Sequence, residues 1–258
     1  MLLNNKLLKY VLYDLLRSKV MLAYGLLLMA LTLSVSALSG DRAQIAISLL
    51  NLVLLLVPLI SLIFSTMYSY QLRDFLDLLL AQPVSRRGVF LGQYLGVSSS
   101  LALAFLAGCG GPLLVGGLTE PLIWILIVGV MLSFIFTGFG FLAVNWQTDK
   151  IRGMATSLFI WFYTALLFDA LILFGLVALQ DYPLEKPALI LSFLNPVDLA
   201  RILVLIKLDI SALMGYTGAL YRQLFGSGWG QLLACAVLLV WAIGPVLLAL
   251  KLFEKRDC

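Results

Sequence analysis

Apolar residues run along this chain in six blocks, at 20–39, 44–70, 90–117, 122–144, 153–179 and 229–250, and the stretches between them hold nearly all the charge. A helix needs about 20 apolar residues to cross a hydrocarbon core of about 30 Å, and each block supplies them. Backbone in lipid must satisfy its own hydrogen bonds, so the blocks predict six transmembrane helices and an all-α integral membrane fold. Between the blocks the pattern becomes one-sided. In residues 1–19, Leu7, Leu8, Val11, Leu12, Leu15 and Leu16 recur at helical spacing among Lys6, Lys9, Arg17 and Lys19, which predicts a basic interfacial helix. Residues 71–89 form a charged handle between two spans. Arg73, Asp74 and Asp77 share one helical face, Leu72, Phe75, Leu76, Leu79 and Leu80 fill the other, and Pro83 ends the helix. Ser85 then stands where it would cap the next helix, with Arg86 and Arg87 at the return to lipid.

Residues 180–228 make the one long extramembrane segment, and they are patterned rather than random. Asn195-Pro196-Val197-Asp198 provides a cap, a proline at the first helical position and an acid in the first turn; Leu199, Ile202, Leu203, Leu205 and Ile206 follow as an apolar side. Asp209 is placed to cap a further helix through Tyr221. The expectation is one or two extracytoplasmic amphipathic helices lying along the membrane before the last span. They would either lid a path or present Asn195, Asp198, Arg201, Lys207 and Arg222 to an extracytoplasmic protein. Glycines at 108, 110, 111, 116 and 117 crowd the far half of the third block, where close helix approach or a broken helix is expected.

Composition narrows the class. Of 258 residues, 62% are hydrophobic and 12% charged, and the mean hydropathy is +1.07, which excludes a soluble globular domain. The net charge of +4 is too dispersed for nucleic acid, but its placement orients the chain. The N-terminus, the handle, the 145–152 loop and the tail hold 12 Lys and Arg against five elsewhere, so both termini are expected in the cytoplasm. Val35-Ser36-Ala37 has the look of a signal cleavage site, yet the long basic lead and long apolar core favour an uncleaved anchor. With no histidine and three isolated cysteines, Cys109, Cys235 and Cys258, there is no material for a zinc site or a Ser-His or Cys-His nucleophile. No metal or cofactor site is expected in this chain. No GxxxxGK[ST] loop occurs either, so any ATP and its Mg would be held by another chain. Asp169 is the one acid well inside an apolar block, where a charge costs roughly 2.5 to 3.5 kcal/mol on insertion scales, and it must face protein or water.

The order of amphipathic lead, two spans, a short cytoplasmic helix carrying LLLAQPVSRRGVFLGQYLG, and four more spans with a helical segment before the last resembles the type-2 ABC exporter permeases. Within that family the LLLAQPVSRR run, FDALILFG around Asp169 and LNPVDLAR at 194–201 are similar to permeases of nitrous oxide reductase maturation systems. The resemblance implies a homodimer in the bacterial inner membrane, bound to two copies of a separate ABC ATPase and to a periplasmic accessory protein. It makes the handle the coupling helix, with Arg73, Asp74, Asp77, Arg86 and Arg87 as ATPase-coupling residues. Where the family often carries an E-x-G-T-L-E type sequence, this chain reads Gln71-Leu72-Arg73-Asp74-Phe75-Leu76-Asp77. The implied role is a permease, not an enzyme, serving assembly of a copper-sulfur centre; seven dispersed methionines and the missing histidines argue against bare copper as cargo. Export of another substrate such as a lipid, drug or polysaccharide, a membrane-embedded lipid-modifying enzyme, and a passive anchor are the alternatives.

Overall fold

The computed structural model describes residues 11–73, 75, 85–178, 191–208 and 228–255. Among them the regular structure is helical throughout, and six helices are long and apolar enough to cross a membrane. The first two spans are α1 (Lys19–Leu38) and α2 (Arg42–Gln71). The third is α3 (Arg86–Phe105), continued through a π-helical turn (Leu106–Gly110) into the short α4 (Gly111–Gly116). The fourth is α5 (Glu120–Trp146). The fifth joins α6 (Lys150–Phe162) to α7 (Phe168–Ala178) through a second π-helical turn, Tyr163–Leu167. After α8 (Pro196–Lys207) comes the sixth span, α9 (Gly228–Glu254).

The fourth span is the hub, with α2, α9 and α3 packed around it. It is the most buried of the six spans and the fifth is the least, so the fifth span turns most of its surface away from this chain. Aromatic rings fill the junction of α3, α5 and α9: Phe90 and Tyr94 meet Phe141 edge-on at 5.6 and 5.9 Å between centroids. The helical residues 11–16 lie against the third span, where Val11 packs over Gly96 and Leu15 is buried. One end of the bundle, here called proximal, gathers this segment, residues 71–73, the 147–149 loop and the end of α9. The opposite end is distal. Of the two features expected of the glycine-rich third span, the structure shows the close approach. The span widens in the π-helical turn without a break in the helical run, and at Gly108 it approaches α1 so closely that a Cβ would sit 2.5 Å from the Gly25 carbonyl oxygen.

Helix α8 is where the structure departs from the expectation of helices lying along the membrane. Its first turn is tied to the middle of the bundle. The Asn195 amide donates to the Thr164 carbonyl at 2.7 Å, and just before it the Trp241 indole donates to the Phe193 carbonyl at 3.1 Å. Thr164 lies 14 residues beyond Lys150 and Trp241 lies 13 before Glu254. At 1.5 Å per residue, both are about 20 Å from the proximal end. At the other end of α8, Lys207 reaches Glu120, the first residue of α5, at 2.6 Å. The helix therefore climbs from mid-depth to the distal rim between α2, α5 and α9. Of the expected apolar side, Leu199, Ile202 and Leu203 are buried against protein while Leu205 and Ile206 are partly exposed, and the buried side is completed by Val197, Ala200 and Val204. Amphipathic periodicity reports that one side is apolar, not what covers it.

Asn195 holds this arrangement from two directions, accepting from the Val197 backbone N–H at 3.0 Å as the helix cap and donating across to the π-helical turn. Only 1% of it is exposed. Asn195→Ala removes a cap and a buried cross-helix donor together and is expected to cost roughly 2 kcal/mol or more. A thermal unfolding scan of the purified protein checks this: an unshifted midpoint would show that α8 is held by its apolar side alone.

Candidate functional site

Two polar assemblies stand at opposite ends of the bundle. The proximal one is built around Arg73. As α2 ends, the Arg73 guanidinium crosses to the 147–149 loop, donating to the carbonyls of Thr148 at 2.5 Å, Val144 at 3.2 Å and Gln147 at 3.3 Å. One helical turn earlier Tyr70 donates its hydroxyl to the Gln147 carbonyl at 2.8 Å and toward that of Asp149 at 3.1 Å. The Arg73 guanidinium also lies 4.8 Å from the Tyr70 ring centroid. Here α5 ends and the chain turns, and the last carbonyls of a helix lack the acceptor role of its interior, so this stretch offers main-chain oxygens to side chains from α2. Asp149 then starts α6 by accepting from the Ile151 N–H at 3.0 Å. Lower in the bundle Thr66 and Ser157 share a buried hydroxyl hydrogen bond of 2.7 Å, extending the union of α2 with the fifth span.

The far side of the handle is held too. Arg87 forms an ion pair with Glu254 at the end of α9, and Arg86 donates to the Glu254 carbonyl at 3.4 Å. Ser85 occupies the position before α3, but its hydroxyl makes no capping bond there. Asp74 and Asp77 lie outside the described residues. The handle thus begins bonded to the loop between the fourth and fifth spans and ends bonded to the sixth. Its ends thereby contact three spans besides the two it connects.

The distal assembly centres on Arg201, which bonds Asp169 at 2.5 Å and Asp198 at 3.3 Å. The wide turn at Tyr163–Leu167 sits just before α7, and Asp169 follows on its first turn, toward α8. Asp198 is 5% exposed. It lies on α8, outside the six spans, where burial and then the hydrogen bond and charge of Asp169 push its carboxyl up to about 8, with Arg201 and Asn195 pulling the other way. Lys207 adds the Glu120 pair at 2.6 Å and lies 5.5 Å from the Trp124 ring centroid.

The structure therefore brings Asp169 together with Asp198 and Arg201, which sequence spacing does not connect. Asn195 and Asp198 are buried and Arg201 and Lys207 are engaged within the chain, so these side chains position α8. Arg222 lies outside the described residues. Tyr70, Thr164, Glu120 and Glu254 were not singled out from the sequence. Only Tyr70 left a signal, one helical turn before Arg73 at the edge of a span.

Residues 73–258 match the ABC-2 family transporter protein family. The chain belongs to that family. It is a transporter permease rather than a catalytic enzyme, multi-pass in the membrane, and the family implies an ABC ATPase as partner. Over 94% of both chains it is 30% identical to the probable ABC transporter permease protein NosY of Pseudomonas aeruginosa. It is 29% identical to the protein of the same description in Stutzerimonas stutzeri, across 94% of this chain and 95% of the relative. The ABC-2 match begins at Arg73, so it includes residues 73–89 of the handle and every described member of both polar assemblies except Tyr70 and Thr66.

Proposed function

We propose that this permease is the membrane half of a NosY-like complex in the bacterial inner membrane, in which a separate ATPase works from the cytoplasmic, proximal end on an assembly event at the distal end. The event is maturation of the copper-sulfur centre of nitrous oxide reductase, directly or through export of what that assembly needs. ATP and Mg belong to the partner ATPase. The observation that carries this reading is the handle bonded at both ends, by Arg73 to the 147–149 loop and by Arg87 to Glu254. That is the wiring a docking helix needs if a push from outside the membrane is to move spans rather than bend a loop.

A second copy of the chain completes the permease. The fifth span supports this, because its exposed apolar side, including Phe159 and Phe174 at 63% and 73% exposure, is broad enough to meet its equivalent. A periplasmic accessory protein would sit at the distal end, above α8. Asn195, Asp198, Arg201 and Lys207 would hold that platform from within, and the Lys207 end of α8 is the part that reaches the distal rim.

Topology and association test the reading together. Reporter fusions after Arg152 and at the C-terminus are expected to behave as cytoplasmic and one near Glu185 as external, and the ATPase is expected to copurify in mild detergent. A C-terminus that reports outside would overturn the orientation. Full activity in cells lacking any ATPase partner would instead revive the lipid-modifying enzyme.

A further inference from the structure

At the distal end the third span and α1 touch at Gly108 and Gly25 and then part. As α4 shortens and turns away, a cleft of about 680 Å³ opens between α1, α2 and α4, within the roughly 300 to 1,000 Å³ range of small-molecule sites. Met29, Leu33, Ile45 and Leu113 line it, and Arg42 stands at its mouth. The Arg42 guanidinium donates to the Gly117 carbonyl at 3.1 Å. Gly117 has φ +89°, and a Cβ there would lie 3.1 Å from Arg42 Nη1, so a bare left-handed glycine lets the guanidinium rest on the turn. Its neighbour Asp41 is turned to the Ala43 N–H at 3.4 Å. Among the described distal cations, Arg201 and Lys207 have carboxylate partners and Arg42 has none.

We infer that this cleft binds a phospholipid of the distal leaflet, with its phosphate on Arg42 and an acyl chain along the apolar wall. A guanidinium presents five donors, and the single bond to Gly117 leaves a fork open that matches phosphate oxygens. The mouth lies at the helix ends, where headgroups sit, and the wall descends into the hydrocarbon zone. A free anion would use the arginine but not the cleft. A bare hydrocarbon would use the cleft but not the arginine. Val115 at 92% exposure and Leu114 at 67% flank the opening as apolar rim residues at headgroup depth. Either membrane orientation leaves the cleft in the leaflet at the distal end.

The test is photolabelling of the purified full-length permease, with its ATPase where they copurify, by a phosphatidylglycerol carrying a diazirine on the acyl chain. Labelling is expected on peptides containing Ile45 or Leu113. It should fall at least fivefold in Arg42→Gln, persist in Arg42→Lys, and be unaffected by excess inorganic phosphate. Ile45→Trp, which fills the cleft without touching the arginine, should also abolish it while the unfolding midpoint stays near wild type. Equal labelling in wild type, Arg42→Gln and Ile45→Trp would overturn the site and leave only lipid that coats the bundle. A disulfide forming between copies through Ser36→Cys at the cleft wall would overturn it differently, by placing a second copy there.

Discussion

Arg73→Ala is expected to leave a chain that inserts and assembles but loses at least tenfold in ATPase-stimulated turnover. The arginine carries three hydrogen bonds to the carbonyls of Val144, Gln147 and Thr148. Hydrogen bonds to charged groups are worth roughly 1.5 to 3 kcal/mol each when dry. This site is at a water-exposed rim, where solvent takes over much of the bonding, so the stability loss should be only about 1 to 2 kcal/mol. Position is what cannot be replaced. Without the guanidinium the end of α2 and the loop before α6 keep the Tyr70 hydrogen bonds but lose three others, and a stroke on the handle is absorbed at the weakened join. Arg73→Lys should fall between, since one ammonium cannot span three carbonyls with a planar fork. Unfolding midpoints set beside ATP hydrolysis in reconstituted vesicles separate the two effects. Undiminished turnover in Arg73→Ala would move the transmission path to Arg87 and Glu254.

At the distal end, Arg201→Leu is expected to be the most damaging single change, at roughly 2 to 3 kcal/mol, because it leaves the acids Asp169 and Asp198 facing each other. Both partners of the Arg201–Asp169 pair are about a third exposed (32% and 30%), which places the expectation at the low end for a broken buried pair. Asp169→Asn keeps an oxygen for Arg201 and should be tolerated better than Asp169→Leu, which leaves a guanidinium half unpaired. Combining Asp169→Asn with Arg201→Gln should cost clearly less than the sum of the two single changes, since neither then faces an orphaned charge. Unfolding of the four proteins in the cycle measures this. Additivity within about 0.5 kcal/mol would mean the two residues do not act on each other, and α8 would then be held by packing and Asn195. The same variants bear on function: α8 is the described element that joins the distal rim to the middle of the bundle.

Much of this protein was legible before any coordinate. The apolar blocks announced six spanning helices because a chain in lipid has few other ways to satisfy its backbone. Asn195-Pro196 announced the start of α8, since capping chemistry is local to four residues and its geometry follows from their types. The oddity of Asp169 was equally visible, because a carboxylate in an apolar block needs a partner wherever the helix goes.

What the partner is, and what Arg73 does, were decided by the tertiary structure. Arg201 lies 32 residues from Asp169 and Thr148 lies 75 from Arg73, and no periodicity relates positions so far apart. The placement of α8 shows the same limit from the other side. Its amphipathic start was legible and Leu199, Ile202 and Leu203 are buried as expected, but a bilayer and a bundle of neighbouring helices satisfy such a side equally well, so the choice between lying on the membrane and standing among the spans fell to the contacts at its two ends. Sequence by itself determined that the six apolar blocks and the segment from Pro196 are helices, and which groups need partners, because both follow from the chemistry of neighbouring residues; the helix expected from Asp209 to Tyr221 lies outside the described residues. Only the packing of the spans decided which groups meet, because that depends on crossing geometry and on wide turns such as Tyr163–Leu167, whose position no local pattern announced.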